Sequence, residues 1–208
     1  MLKSKSSIVL DANNGFSLVE LLIALLLGSM LLAMVISLYV TGVSTGAKSL
    51  KYSRLRTDLQ SIIAMLETDI RRAGYGGSSY LVGAIGNKGI DINSDQNCIV
   101  YYYDHNETST VESSNKMAFS FKDSAIKFKS NVGQIAEDVC DITTGWTNIS
   151  DDQFVTITML TLTEDVVSSA AATIRSVKIE LSGELVSDSS YNYSITTRVQ
   201  VRNFEFAN

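Results

Sequence analysis

The stretch GFSLVELLIALLLGSMLLAMVISLYV, residues 15–40, decides the fold. From Phe16 to Ala47 the only charged side chain is Glu20, and the next charge is Lys48. A helix needs about 20 apolar residues to cross the hydrocarbon core of a bilayer, and this run exceeds that. A secretory signal peptide would have a shorter apolar core, a small-x-small cleavage site and no acid within it. The preceding segment, MLKSKSSIVLDANNG, is polar, and Lys3 and Lys5 favour keeping it on the cytoplasmic side. Glu20 is the anomaly. A charged side chain at mid-membrane costs on the order of 2.5–3.5 kcal/mol by insertion scales, and less near a helix end, so an acid here reads as a functional group that needs a partner.

Outward from this run, the 208 residues leave room for one globular domain on a stalk. Without residues 1–15 the chain carries 15 basic and 21 acidic side chains, a poor balance for neutralising phosphates, so direct nucleic-acid binding is not expected. The basic residues Lys48, Lys51, Arg54, Arg56, Arg71 and Arg72 follow the apolar run, where a solvated helix face accounts for them. Proline is absent, so a long helix can run without the break that its ring and missing N–H impose. Cys98 and Cys140 both lie beyond the apolar run. If that run crosses the inner membrane, both sit in an oxidising compartment and a disulfide is the simple reading. Two cysteines and one histidine, with no paired ligand spacing, give no zinc site, and no cofactor is expected.

Beyond Gly46, Leu55, Leu59, Ile62, Leu66, Ile70 and Ala73 recur at helical spacing with charged residues opposite. Arg71 and Arg72 suit a helix C-terminus, and Gly74, Gly76 and Gly77 supply the stop. The pattern predicts one helix from about Phe16 to Ala73, roughly 85 Å long at 1.5 Å per residue. After Gly77 the period changes to two. Val177, Ile179 and Leu181 alternate with polar residues, as do Ile195, Thr197, Val199 and Val201. CIVYYYD, MAFSFKDSAIKFK with a hairpin turn near Asp123, and FVTITMLTL read as further antiparallel strands. A long helix followed by strands is an α+β architecture with the helix on a sheet face.

Few residues of the domain point to chemistry. Asp91, Asn93 and Asp95 alternate like the first ligands of a calcium loop, but Gln96 holds the glycine position and Tyr102 that of the bidentate glutamate. A polar turn leading into a strand is preferred over an irregular calcium site. His105 has no nucleophile or base to work with and reads as a loop residue. Tyr101, Tyr102 and Tyr103 cannot all face one side of a strand, so at least one is expected to meet solvent or a partner. Trp146 reads as a wedge between a loop and the sheet.

Gly15, Phe16 and Glu20, followed by the unbroken apolar helix, resemble the class III signal of type IV pilins and type II secretion pseudopilins. The resemblance implies cleavage by a prepilin peptidase between Gly15 and Phe16, N-methylation of Phe16, and pairing of Glu20 with the terminal amine of a neighbouring subunit. Many major pilins have a proline where Ser37 stands. Local melting of this helix would therefore fall to Gly28, Gly42 or Gly46. ETDIRRAGYGG, residues 67–77, and ITTRVQVRN, residues 195–203, resemble the helix end and closing strand of PilW-type minor pilins, with a J-type pseudopilin as the near alternative.

The organisation implied is a leader over 1–15, a membrane or filament-core half-helix over 16–43, an amphipathic half over 44–74, and a globular β-rich domain over 75–208. The family implies a non-enzymatic subunit that helps initiate pilus assembly, held in the inner membrane with a periplasmic domain and later extracellular in the pilus. Its partners would be other minor and major pilins, the prepilin peptidase, the inner-membrane assembly platform and, before assembly, membrane lipid. A tip adhesin or DNA-uptake role is a further alternative.

Overall fold

A computed structural model describes residues 15, 17–108, 110–169, 172–203 and 205–206, with side chains up to Asn203. The chain falls into two compact units, one up to Ser49 and one from Leu50 onward. A single helix, α1 (Leu18–Arg72), runs from the first into the second, unbroken at Gly28, Ser37, Gly42 and Gly46. Absence of proline allows this, since every interior N–H remains available to its i−4 carbonyl.

In the second unit two antiparallel sheets follow the helix. The first contains β1 (Ile90–Ile92), β2 (Cys98–Tyr102), β3 (Lys116–Lys122), β4 (Ala125–Ser130) and β5 (Thr147–Asn148), side by side in chain order. Between β4 and β5 lies the short helix α2 (Ala136–Cys140). The second sheet contains β6 (Val155–Ser168), β7 (Ala172–Leu185) and β8 (Asp188–Gln200), with β9 (Glu205–Phe206) pairing beyond β8 on β7. The expected hairpin at Asp123 forms between β3 and β4. Asp123 and Ser124 have φ of 51° and 57°, the doubly left-handed turn whose twist matches that of the flanking strands.

Packing follows the two periodicities. Leu55, Leu59, Leu66, Ile70 and Ala73 are wholly buried, with Ile62 and Ile63 nearly so, in one cluster that takes side chains from both sheets. Burying each large aliphatic of this stripe contributes about 1.5–3 kcal/mol relative to exposure. Gly183 on β7 is what lets the helix approach. A Cβ there would lie 3.2 Å from Leu59 Cδ2 and 3.1 Å from the Thr156 carbonyl oxygen.

The middle of the first sheet, β2 and the centre of β3, is covered on both faces. Ile99, Tyr101, Tyr103, Met117 and Phe119 point into the helix-side cluster. Cys98, Val100, Tyr102 and Ala118 point the other way, into a second cluster with Tyr80, Val82, Val139 and Cys140. This corrects the expectation for the tyrosine run. Tyr101, Tyr102 and Tyr103 are all buried, because α2 and its flanking loops cover the face that an isolated sheet would leave wet. The C-terminal strand also differs from its predicted extent. Its alternation continues to Val201, but β8 begins at Asp188 and ends at Gln200, after which Arg202 N–H turns to donate to the Arg71 carbonyl.

A disulfide joins Cys98 on β2 to Cys140 at the end of α2, with Cα atoms 6.1 Å apart across 42 residues of sequence. Trp146 wedges at the edge of the same cluster. Its ring lies 5.3 Å from Lys122 Nζ, and its indole N–H donates to the Ile142 carbonyl at 2.8 Å. Replacing Cys98 and Cys140 together by alanine is expected to lower unfolding free energy by about 4 kcal/mol, the loop-closure value for a loop of this length. Denaturant unfolding of the oxidised wild type and the double variant measures it.

Candidate assembly surfaces

In the first unit no described residue covers the helix. Every side chain from Leu18 to Arg54 is exposed within the chain, and the most apolar 18-residue window has a mean hydropathy of 2.7. Such a surface is stable only against lipid or other apolar helices. Two of its hydroxyls are satisfied locally. Ser29 Oγ donates to the Leu26 carbonyl and Thr41 Oγ1 to the Ser37 carbonyl, both at 2.9 Å. Glu20 stands in the first turn and, among the described residues, makes no hydrogen bond or ion pair. The local dipole favours an acid there. Gly15 is exposed just ahead of the helix, while Phe16 and the rest of the leader, residues 1–14, lie outside the described residues.

In the second unit the end of α1 is tied to the first sheet by polar groups that periodicity does not show. Asp69 accepts from Tyr101 Oη at 2.8 Å and from Tyr103 Oη at 3.2 Å. The two rings stack with centroids 6.2 Å apart, and the Arg72 guanidinium lies 6.0 Å from the Tyr103 centroid. Asn203 Nδ2 donates to the Arg72 and Ala73 carbonyls at 3.1 and 2.8 Å, satisfying acceptors that a helix end leaves open. Gly74, at φ 76°, reverses the chain there, and its N–H donates to the Tyr102 carbonyl at 2.8 Å. One sequence signal for Asp69 existed: it falls within the apolar stripe, three residues after Leu66 and four before Ala73.

The other singled-out residues take structural positions. Asp91 Oδ1 pairs with Lys88 Nζ at 3.2 Å, and its Oδ2 accepts from the Ala136 N–H at 2.8 Å. Asn93 Oδ1 accepts from the Asn97 and Cys98 N–H groups, closing the turn that Gln96 completes at φ 58°. Asp95 is exposed on that turn, and no group of three or more metal-ligating side chains converges among the described residues. His105 lies in a loop with Nδ1 3.0 Å from Asn115 Nδ2 and its ring edge-on to Tyr103. Of the basic residues on α1, Arg54 pairs with Asp151 at 2.8 Å and covers the Phe154 ring, and Arg56 lies over Tyr193. Glu137 accepts from the Ser94 N–H and hydroxyl, bonds that hold its carboxyl below the usual range.

A long helix with an uncovered apolar half, an acid in its first turn and a disulfide-clamped β domain on its other half define a pilin-like subunit. Residues 10–36 match the prokaryotic N-terminal methylation motif, which marks the class III signal. Residues 48–201 match the model of prepilin peptidase-dependent protein B. The chain belongs to that family, a structural one of pilin-like subunits processed by prepilin peptidase. No curated protein and no solved structure matches the chain.

The buried tyrosines set an alkaline limit. Burial, reinforced by the Asp69 carboxylate, pushes the Tyr101 hydroxyl well above its usual value, and burial alone pushes Tyr102 up to about 12. A raised folded-state value means that the stability from Tyr102 is intact below pH 10 and is lost as pH rises from 10 towards 12. That loss amounts to about 2–3 kcal/mol. Chemical unfolding at pH 9 to 12 should show wild type losing stability more steeply than Tyr102→Phe, which keeps the ring but gives up the bond to the Val132 carbonyl.

Proposed function

We propose that the chain is a minor pilin of PilW type, a subunit that helps initiate a type IV pilus in a complex with other minor pilins. The reading rests on one observation: Glu20 is a carboxylate without a partner among the described residues, in the first turn of an otherwise apolar, uncovered helix. A buried charge is tolerated only when paired, and removing one member of such a pair is strongly destabilising. In a filament core the terminal ammonium of a neighbouring subunit, freed by cleavage between Gly15 and Phe16 and methylated on Phe16, supplies the opposite charge. Glu20 then sets the axial register of one helix against the next. Before assembly the same helix rests in the inner membrane, with the globular unit in the periplasm, where the Cys98–Cys140 bond forms.

In this reading the domain boundaries have physical content. The segment 16–43 is the part solvated by lipid or by other pilins, 44–74 carries the stripe that nucleates the domain, and 75–208 presents the partner-selecting surface. Glu20→Ala should leave cleavage after Gly15 intact and reduce incorporation into filaments at least ten-fold, the factor that about 1.4 kcal/mol of lost pairing gives. Immunoblotting of sheared filaments against the processed membrane pool measures it. Assembly of Glu20→Ala at wild-type level would refute the pairing.

A further inference from the structure

The two long edges of the second sheet are treated differently. On the β6 side, the N–H groups of Ile157 and Leu162 donate to the Ser124 and Gln96 carbonyls, both in turns of the first sheet, at 2.9 and 2.7 Å. Those two bonds cover the part of that edge that faces the first sheet. On the β8 side, the Val201 N–H donates to the Arg175 carbonyl at 3.0 Å. With the continuous β7–β8 register, this places odd-numbered β8 residues in the hydrogen-bonded pairs with β7. The N–H and C=O groups of Asn192, Ser194, Thr196, Arg198 and Gln200 therefore point away from the sheet. None of them is bonded to another described residue, and all five residues are exposed.

Proteins normally protect so long an edge with lysines, prolines, bulges or a covering element. Over residues 190–200 this strand has no proline, no lysine and a single charge, Arg198, which is paired with Asp165 at 2.7 Å. Beside the edge, on the helix side, runs a cleft of about 390 Å³ lined by Ala64, Glu67, Thr68, Arg71, Arg72 and Arg202. Glu67 is held at its rim by the Thr197 hydroxyl. Among the described residues no carboxylate forms an ion pair with Arg71, Arg72 or Arg202, so the cleft carries net positive charge. Dipole compensation at the end of α1 accounts for Arg71 and Arg72 but not for Arg202, which comes from the far end of the chain.

We propose that the free edge of β8 and this arginine-lined cleft together accept an extended, carboxylate-bearing segment from the globular domain of a neighbouring filament subunit. The segment adds to the second sheet as a strand, as in β-augmentation. Its backbone would pair with Asn192, Ser194, Thr196, Arg198 and Gln200. Its helix-facing side chains would enter the cleft, where the arginine forks select a carboxylate. The partner assignment rests on the pilin reading above, and charge complementarity supplies the specificity.

The test compares the full-length processed chain in detergent micelles with the same chain in isolated filaments, by hydrogen–deuterium exchange over residues 190–200. The outward amides of β8 are expected to exchange at least ten-fold more slowly in filaments. Thr196→Pro removes one outward N–H, and Arg71→Glu with Arg202→Glu reverses the cleft's charge. Both should lower filament incorporation several-fold while leaving Gly15 cleavage, the disulfide and the melting temperature of the micellar chain near wild type. Filament-bound chain whose β8 amides exchange as fast as in micelles would overturn the proposal and leave the pilin reading standing. Concentration-dependent protection in micelles of the chain alone would overturn it in favour of a second copy as the occupant. A cleaved chain that never enters filaments, even with Glu20 intact, would bring down both.

Discussion

The main core of the globular unit depends on burial of one stripe of α1. Leu55, Leu59, Leu66 and Ile70 lose all contact with water by packing against side chains from both sheets. The stripe gives the two sheets a common core. Gly183 permits the close approach, and the Asp69 carboxylate holds Tyr101 and Tyr103 at the end of the stripe. Tertiary packing of this kind stabilises a helix more than its intrinsic propensity does.

The same helix meets a different solvent in its first half. There every side chain from Leu18 to Arg54 is exposed within the chain, and aliphatic residues surround the axis on all sides. A helix apolar all round requires lipid or other helices about it. One element thus carries two surface chemistries, an apolar half ahead of Lys48 and an amphipathic half beyond it. Membership of a family of prepilin peptidase-dependent proteins is consistent with that division.

Closure of the domain is asymmetric, and the asymmetry is chemical. The middle of the first sheet, β2 and the centre of β3, is buried on both faces, its outer face sealed by α2 and the Cys98–Cys140 bond. Lys122 donates to the Cys140 and Ile142 carbonyls and covers Trp146, so the loop after α2 is pinned as well. Desolvation at this position lowers the affinity of Lys122 for its proton. The second sheet is covered in part at β6 by two turn carbonyls and, among the described residues, left open at β8.

The sequence by itself determined the helix, its two halves and its stop, because period 3.6, an uninterrupted apolar run and a glycine cluster are local signals. It also determined the β3–β4 hairpin and the alternation of β7 and β8, again local. The class III signal was legible for the same reason, since Gly15, Glu20 and the apolar run are contiguous. Only the tertiary structure decided that there are two sheets and that all three consecutive tyrosines are buried. An alternating pattern shows that a strand has two faces but not what covers each of them. Asp69, Asn203 and Gly183 acquire their roles from residues that are distant in the chain, and the edge of β8 is open because no other described segment returns to pair with it. Those features belong to the way the elements meet, which local periodicity does not encode.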